Sequence, residues 1–121
     1  MAPINHQTGR HAEQLACEYL EQQGLELICR NYHAPGGEID LIMRDGSQLV
    51  FVEVRYRSKS YFGSAAESVD FKKQQRIRHT ALCYLQQTDP DCSARFDVVA
   101  IDKGQAGKGL ENNINWITNA F

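Results

Sequence analysis

The chain has 121 residues, 42% of them hydrophobic and 23% charged. That is the composition of a single globular domain over residues 1–121, with residues 1–7 expected to be flexible, and it excludes a disordered chain. Thirteen basic against fifteen acidic residues leave a net charge of −2. This excludes a simple basic nucleic-acid coat, but not an enzyme that gathers acids in one pocket and bases on its rim.

The longest aliphatic or aromatic run, Leu49-Val50-Phe51-Val52, falls far short of the ~20 apolar residues that span a bilayer. The start of the chain lacks the charged and apolar regions of a signal peptide. Cys17, Cys29, Cys83 and Cys92 show no C-x-x-C spacing. They read as reduced thiols used as small core hydrophobes. The expectation is a cytoplasmic protein with no membrane partner.

In chain order, Thr8 caps a helix that runs to about Gln23 and stops at Gly24. Ala12, Leu15, Ala16, Tyr19 and Leu20 share one face of it, and Glu13 sits on the rim of that face. Strands follow at about Leu25–Asn31, Glu38–Arg44 and Gln48–Arg57, the last two joined by an Asp45-Gly46 hairpin turn. Gly63–Asp70 is irregular or pre-helical. A second helix covers about Phe71–Gln87, with Ile77, Ala81, Tyr84 and Leu85 on one stripe, and Asp89-Pro90-Asp91 ends it. Phe96–Asp102 is a fourth strand, Gly104–Gly109 a loop, and Ile114–Thr118 an edge strand. Helix, three strands, helix, strand, strand predicts an α/β fold, a mixed sheet flanked by helices.

With Asp45 and Gly46 at the centre of the turn, Asp40 stands opposite Phe51 and Glu38 opposite Glu53. Period-two alternation then puts Glu38, Asp40, Phe51, Glu53 and Arg55 on one face, and Ile39, Leu41, Met43, Val50, Val52 and Val54 on a core face. Two carboxylates about 5 Å apart repel by roughly 3 kcal/mol at an effective dielectric of 20. The repulsion requires a divalent cation, a shared proton or Arg55. Two or three acids beside a base suit metal-assisted phosphodiester hydrolysis, since a hard cation takes carboxylate oxygens and keeps places for water and phosphate. The same residues also read as a solvated strand face, its acids bridged to Arg44, Arg55 and Arg57.

Gly37-Glu38-Ile39-Asp40-Leu41-Ile42, then Leu49-Val50-Phe51-Val52-Glu53-Val54-Arg55-Tyr56-Arg57, resembles the small bacterial YraN-like family of uncharacterised proteins. Gly9-Arg10-His11-Ala12-Glu13, Lys73 before Ile77, Arg95-Phe96-Asp97-Val98-Val99 and the terminal Asn119-Ala120-Phe121 extend the likeness over nearly the whole chain. That family resembles the PD-(D/E)XK nucleases, with a restriction endonuclease-like core and Holliday junction resolvases as analogues. The resemblance implies Asp40 and Glu53 as catalytic metal ligands for Mg²⁺ or Mn²⁺, with Glu13 as a further acid. Where the pattern asks for Lys two residues after the acid, this chain has Arg55. Arg cannot act as a base but can stabilise phosphate charge, and Lys72 or Lys73 can supply the ammonium.

Lys72, Lys73 and Arg76 on the second helix, with Arg57 leading from the third strand, form a basic segment. It can track a phosphate backbone or be an ordinary solvated helix face. The expected partner is nucleic acid, DNA ahead of RNA, with a homodimer among the assemblies allowed. The expected function is metal-dependent nucleic-acid cleavage. Its rivals are a non-catalytic adaptor that keeps the fold, and a purely structural acidic face.

Overall fold

The structure is a computed structural model that describes residues 6–57, 66–102 and 114–121. Helix α1 spans His6–Gln22, and strands β1, β2 and β3 span Glu26–Ala34, Gly37–Asp45 and Gln48–Arg57. A 3₁₀ turn at Ala66–Ser68 precedes helix α2, Phe71–Thr88, and strands β4, Ala94–Asp102, and β5, Ile114–Ile117, follow. The helix–strand order matches the sequence expectation. Helix α1, however, already contains His6 and Gln7, so Thr8 lies inside it. Residues 1–5, the rest of the expected flexible start, lie outside the described residues, as does the Gly104–Gly109 loop.

The five strands form one mixed sheet in the order β1-β2-β3-β4-β5. Strands β3 and β4 run parallel and all other neighbours antiparallel. Parallel neighbours need a crossover, and α2 supplies it. On one face, Ala12, Ala16, Cys17 and Leu20 of α1 pack against Leu41, Met43, Val50, Val52, Val99 and Ile101. On the other, Ile77 and Ala81 of α2 pack against Ile42, Leu49, Phe51, Val98 and Ala100. The expectation of one apolar and one charged face for β2 and β3 is thus corrected. Both faces are covered, because Leu49 and Phe51 carry the apolar pattern through to the α2 side.

The β2–β3 turn and the start of α2 are each fixed by a local interaction. Asp45 and Gln48 are the innermost pair of the β2–β3 hairpin, so Gly46 and Ser47 form the turn. Gly46 has φ +62 and Ser47 has no positive φ, which fits the two-residue turn that takes Gly first. The register therefore differs from expectation by two residues, and Ile42, not Asp40, faces Phe51. Helix α2 begins at Asp70, whose carboxylate accepts a hydrogen bond from the Lys73 backbone N–H at 2.8 Å, a cap worth about 1 kcal/mol.

Candidate active site where strands β2 and β3 part

The β2–β3 ladder runs from Asp45–Gln48 to Leu41–Val52 and ends there. The flanking ladders continue, β1–β2 to Ala34–Gly37 and β3–β4 to Arg57–Asp102. The two central strands therefore separate beyond Leu41 and Val52. Asp40 sits where they part, and its Oδ2 accepts a hydrogen bond from the Val54 backbone N–H at 2.8 Å. A side chain thus takes the place of a ladder carbonyl. Carried one pair further, the register sets Asp40 across from Glu53.

Alternation along β2 breaks at the same point. Ile39 and Ile42 both lie on the α2 side, while Leu41 lies on the α1 side. Strand β1 answers this: the pairs Arg30–Leu41 and Tyr32–Ile39 leave Asn31 opposite Asp40. Asn31 has φ +50, a left-handed conformation that Asn tolerates better than most residues. Its side-chain amide donates to Glu13 Oε1 at 3.1 Å, which ties α1 to the opening.

Glu53 is only 4% exposed, and two cations face it. Lys73 Nζ lies 3.3 Å from its Oε2 and an Arg55 guanidinium nitrogen 3.8 Å from the same oxygen. Burial, the Glu53 charge and, more weakly, the Glu13 charge push the Asp40 carboxyl up to about 8, against the Val54 amide, which pulls it down. The opening thus sets an ammonium and a guanidinium against Glu53, while burial and the Glu53 charge favour the neutral form of Asp40. A cluster of three or more His, Cys, Asp or Glu side chains suited to a metal does not occur among the described residues.

Asp40, Glu53, Arg55 and Lys73 are brought together, with Glu13 joined through Asn31. Lys72 and Arg76 are exposed on α2. Arg57 is not a surface contact: it is 7% exposed and its guanidinium pairs with both oxygens of Asp102. Burial between β3 and β4 removes it from the expected phosphate-tracking set. Glu38, expected opposite Glu53, instead pairs with His33 at 3.0 Å, because the register places them together across β1 and β2.

Two contributors carry little signal in the sequence. Asn31 has one, a turn-type residue inside a strand pattern. Gly37 is the second. A Cβ built there would lie 2.4 Å from Thr80 Oγ1 and 3.3 Å from the Arg76 carbonyl, so the missing side chain lets α2 close onto β2. That approach holds Lys73 over Glu53.

The model of the uncharacterised protein family UPF0102 matches residues 12–101. A UPF0102 protein of Pseudomonas savastanoi pv. phaseolicola is 49% identical over 117 residues, covering 95% of this chain and 93% of the relative. One of Nitrosococcus oceani is 49% identical over 124 residues, covering 100% and 97%. One of Shewanella loihica is 45% identical over 122 residues, covering both chains in full. The chain belongs to the UPF0102 family, the YraN-like family that its motifs resemble.

Proposed function

We propose that the protein is a nuclease with a restriction endonuclease-like core of the PD-(D/E)XK type, cleaving phosphodiester bonds in DNA with Mg²⁺ or Mn²⁺. The observation that carries this reading is the meeting of Asp40 and Glu53 where the ladder opens, with Lys73 3.3 Å from Glu53. Two carboxyl groups crowded beside an ammonium at a desolvated opening form a costly arrangement, which a sheet does not need for folding.

The donor set suits a hard divalent cation. Magnesium is commonly held by one or two carboxylates and completes its coordination with water and substrate phosphates, so Asp40 and Glu53 would hold it. When bound, it would supply charge neutralisation at the phosphate and an activated water. Asp40 would have to give up its proton to serve as a ligand to the cation. Lys73 and Arg55 place positive charge where a transferring phosphate develops negative charge. Glu13, fixed by Asn31, adds negative charge beside Asp40. Lys72 and Arg76 offer contacts to the backbone flanking the site.

A second reading, a nucleic-acid-binding adaptor without catalysis, draws on Arg55 standing where the pattern asks for Lys. Lys73 weakens it by supplying an ammonium from α2. A cleavage screen over duplex, single-stranded, flap and branched DNA and over RNA, with Mg²⁺ or Mn²⁺ against EDTA, separates the two. Cleavage that needs metal and is lost in Asp40→Asn with Glu53→Gln supports the nuclease. In parallel, Mn²⁺ should raise the melting temperature of the wild type but not of that double variant. Equal metal stabilisation of both proteins would remove Asp40 and Glu53 from the site.

A further inference from the structure

A cleft of about 480 Å³ lies between α1 and the middle of β1, lined by Arg10, Glu13, Gln14, Arg30 and Asn31. It adjoins the opening through two residues: Glu13, whose charge reaches Asp40, and Asn31, which stands opposite Asp40. The cleft is therefore the α1-side approach to the same carboxylates that Lys73 approaches from the α2 side.

Its two arginines are short of partners. Among the described residues, neither Arg10 nor Arg30 pairs with a carboxylate. Glu13, the acid in the lining, is engaged by the Asn31 amide. Arg30 donates to Cys17 Sγ at 3.7 Å, and a thiol is a weak acceptor that leaves most of a guanidinium's five donors unclaimed. Exposed guanidiniums normally find carboxylates or phosphates, which match their planar fork two bonds at a time. Two of them around one cleft, against one acid, form a receptor for an anion with several oxygens.

The placement favours a polyanion over a small anion. Arg10 and Arg30 stand on the α1 side of the sheet, and Lys72, Lys73 and Arg76 on the α2 side, with Asp40 and Glu53 at the opening between them. A chain of phosphates crossing the opening would meet cations on both sides of the carboxylates. A single small anion would use one side only. We infer that Arg10 and Arg30 hold the phosphodiester backbone of the substrate strand where it leaves the opening on the α1 side. This rests on the nuclease reading and extends it by naming which side of the site grips the strand.

The test is binding of labelled single-stranded and duplex DNA in EDTA, measured over a series of salt concentrations. Arg10→Gln and Arg30→Gln should each lower affinity about 3- to 10-fold and reduce the log–log salt slope by about 1, and the double variant by about 2. Arg30→Lys should keep the slope while losing part of the affinity, because it keeps the charge but not the fork. It also guards against loss of the Cys17 contact being mistaken for loss of binding. Unchanged melting temperatures show that the fold survives. An unaltered slope in the double variant, with binding still dependent on Lys72 and Arg76, overturns this inference and leaves the nuclease reading standing. Binding of inorganic phosphate to the cleft without any effect of the arginines on DNA assigns it to a small anion, which also overturns it. A wild-type protein that binds no nucleic acid overturns both.

Discussion

Lys73 on the first turn of α2 places its ammonium 3.3 Å from Glu53 Oε2, closer than Arg55, which follows Glu53 on the same strand at 3.8 Å. Glu53 thus meets its nearer cation from another element, held in place by the Asp70 cap and the close approach at Gly37. Lys73→Met would leave Glu53, 4% exposed, with Arg55 alone. The expected cost is about 1–3 kcal/mol, toward the low end because the Lys73 side chain is itself 35% exposed. Cleavage should fall on the order of 100-fold. Urea midpoints and nicking rates measure the two effects separately, and a variant unchanged in both would remove Lys73 from the site.

Asp40 makes the stability of the metal-free protein depend on pH. Its carboxyl is raised from 3.8 to about 8, burial being the first cause and Glu53 the second. Between those values the folded state holds a proton that the unfolded state has released. This contribution is complete below about pH 4, declines as pH rises, and is gone above about pH 8, with a slope of at most about 1.4 kcal/mol per unit. Asp40→Asn keeps an acceptor for the Val54 N–H and cannot titrate. Its stability relative to wild type should therefore rise steadily from about pH 5 to about pH 8 in EDTA and level off beyond. A difference that stays constant across that range would contradict the assignment.

Gly37→Ala tests whether α2 must approach β2 closely. The new Cβ would meet Thr80 Oγ1 at 2.4 Å and the Arg76 carbonyl at 3.3 Å, so the helix must shift, at a cost of about 1–3 kcal/mol. Removing the hydroxyl by Thr80→Ala in the same chain should recover a large part of that loss, which would appear as favourable coupling in a double-mutant cycle. Strictly additive effects would mean that the strain lies elsewhere.

Asp97 is a buried acid with a different task. It is fully buried and accepts hydrogen bonds from Arg95, from Trp116 Nε1 at 2.9 Å and from the Asn119 backbone N–H at 2.9 Å. These bonds pin β5 and the chain end to β4. Asp97→Ala strands the Trp116 and Asn119 donors and part of the Arg95 guanidinium, and should cost about 2–4 kcal/mol. Trp116 is the single tryptophan, so its emission maximum should move as the indole N–H loses its carboxylate partner. Metal-dependent cleavage by the folded fraction should be unaffected. An unshifted spectrum with full stability would refute the clamp.

The elements were legible because their patterns are strong: the apolar stripe of α1, the run Leu49–Val52 and the Pro90 stop after α2. Register was less so. Asp45-Gly46 announces a turn, but only the backbone shows that Gly46 takes the first central position. Because the resulting shift is two residues, Asp40 and Glu53 keep their common side and become direct rather than diagonal neighbours. The break at Asp40 carries no pattern of its own. It depends on Asn31 adopting a positive φ across the ladder and on the Val54 amide finding a side chain. Arg57 looked like part of a basic run and is instead buried against Asp102, since one-dimensional charge patterning does not register a partner 45 residues away.

Arg55 is where sequence pattern and geometry can be set against each other. Its side chain is 40% exposed and its nearest guanidinium nitrogen is 3.8 Å from Glu53 Oε2, which is close enough to steer charge but loose for a pair that holds the fold. If Lys73 supplies the ammonium that the chemistry needs, Arg55→Lys should leave cleavage at or above the wild-type rate. Arg55→Ala should then cost less than Lys73→Ala, on the order of 10-fold against 100-fold, with little change in the urea midpoint. If Arg55 is itself the main donor to the transferring phosphate, the order reverses and Arg55→Ala is the more damaging change. In the adaptor reading, no version cuts, and Arg55→Ala weakens DNA binding by roughly 1 kcal/mol, the value of one lost contact. Nicking rates and DNA affinities of the three variants, measured side by side, decide between these orders. Should Arg55→Ala and Lys73→Ala both leave cleavage and binding untouched, the two cations would be only counter-ions to Glu53, and the acidic opening a structural feature.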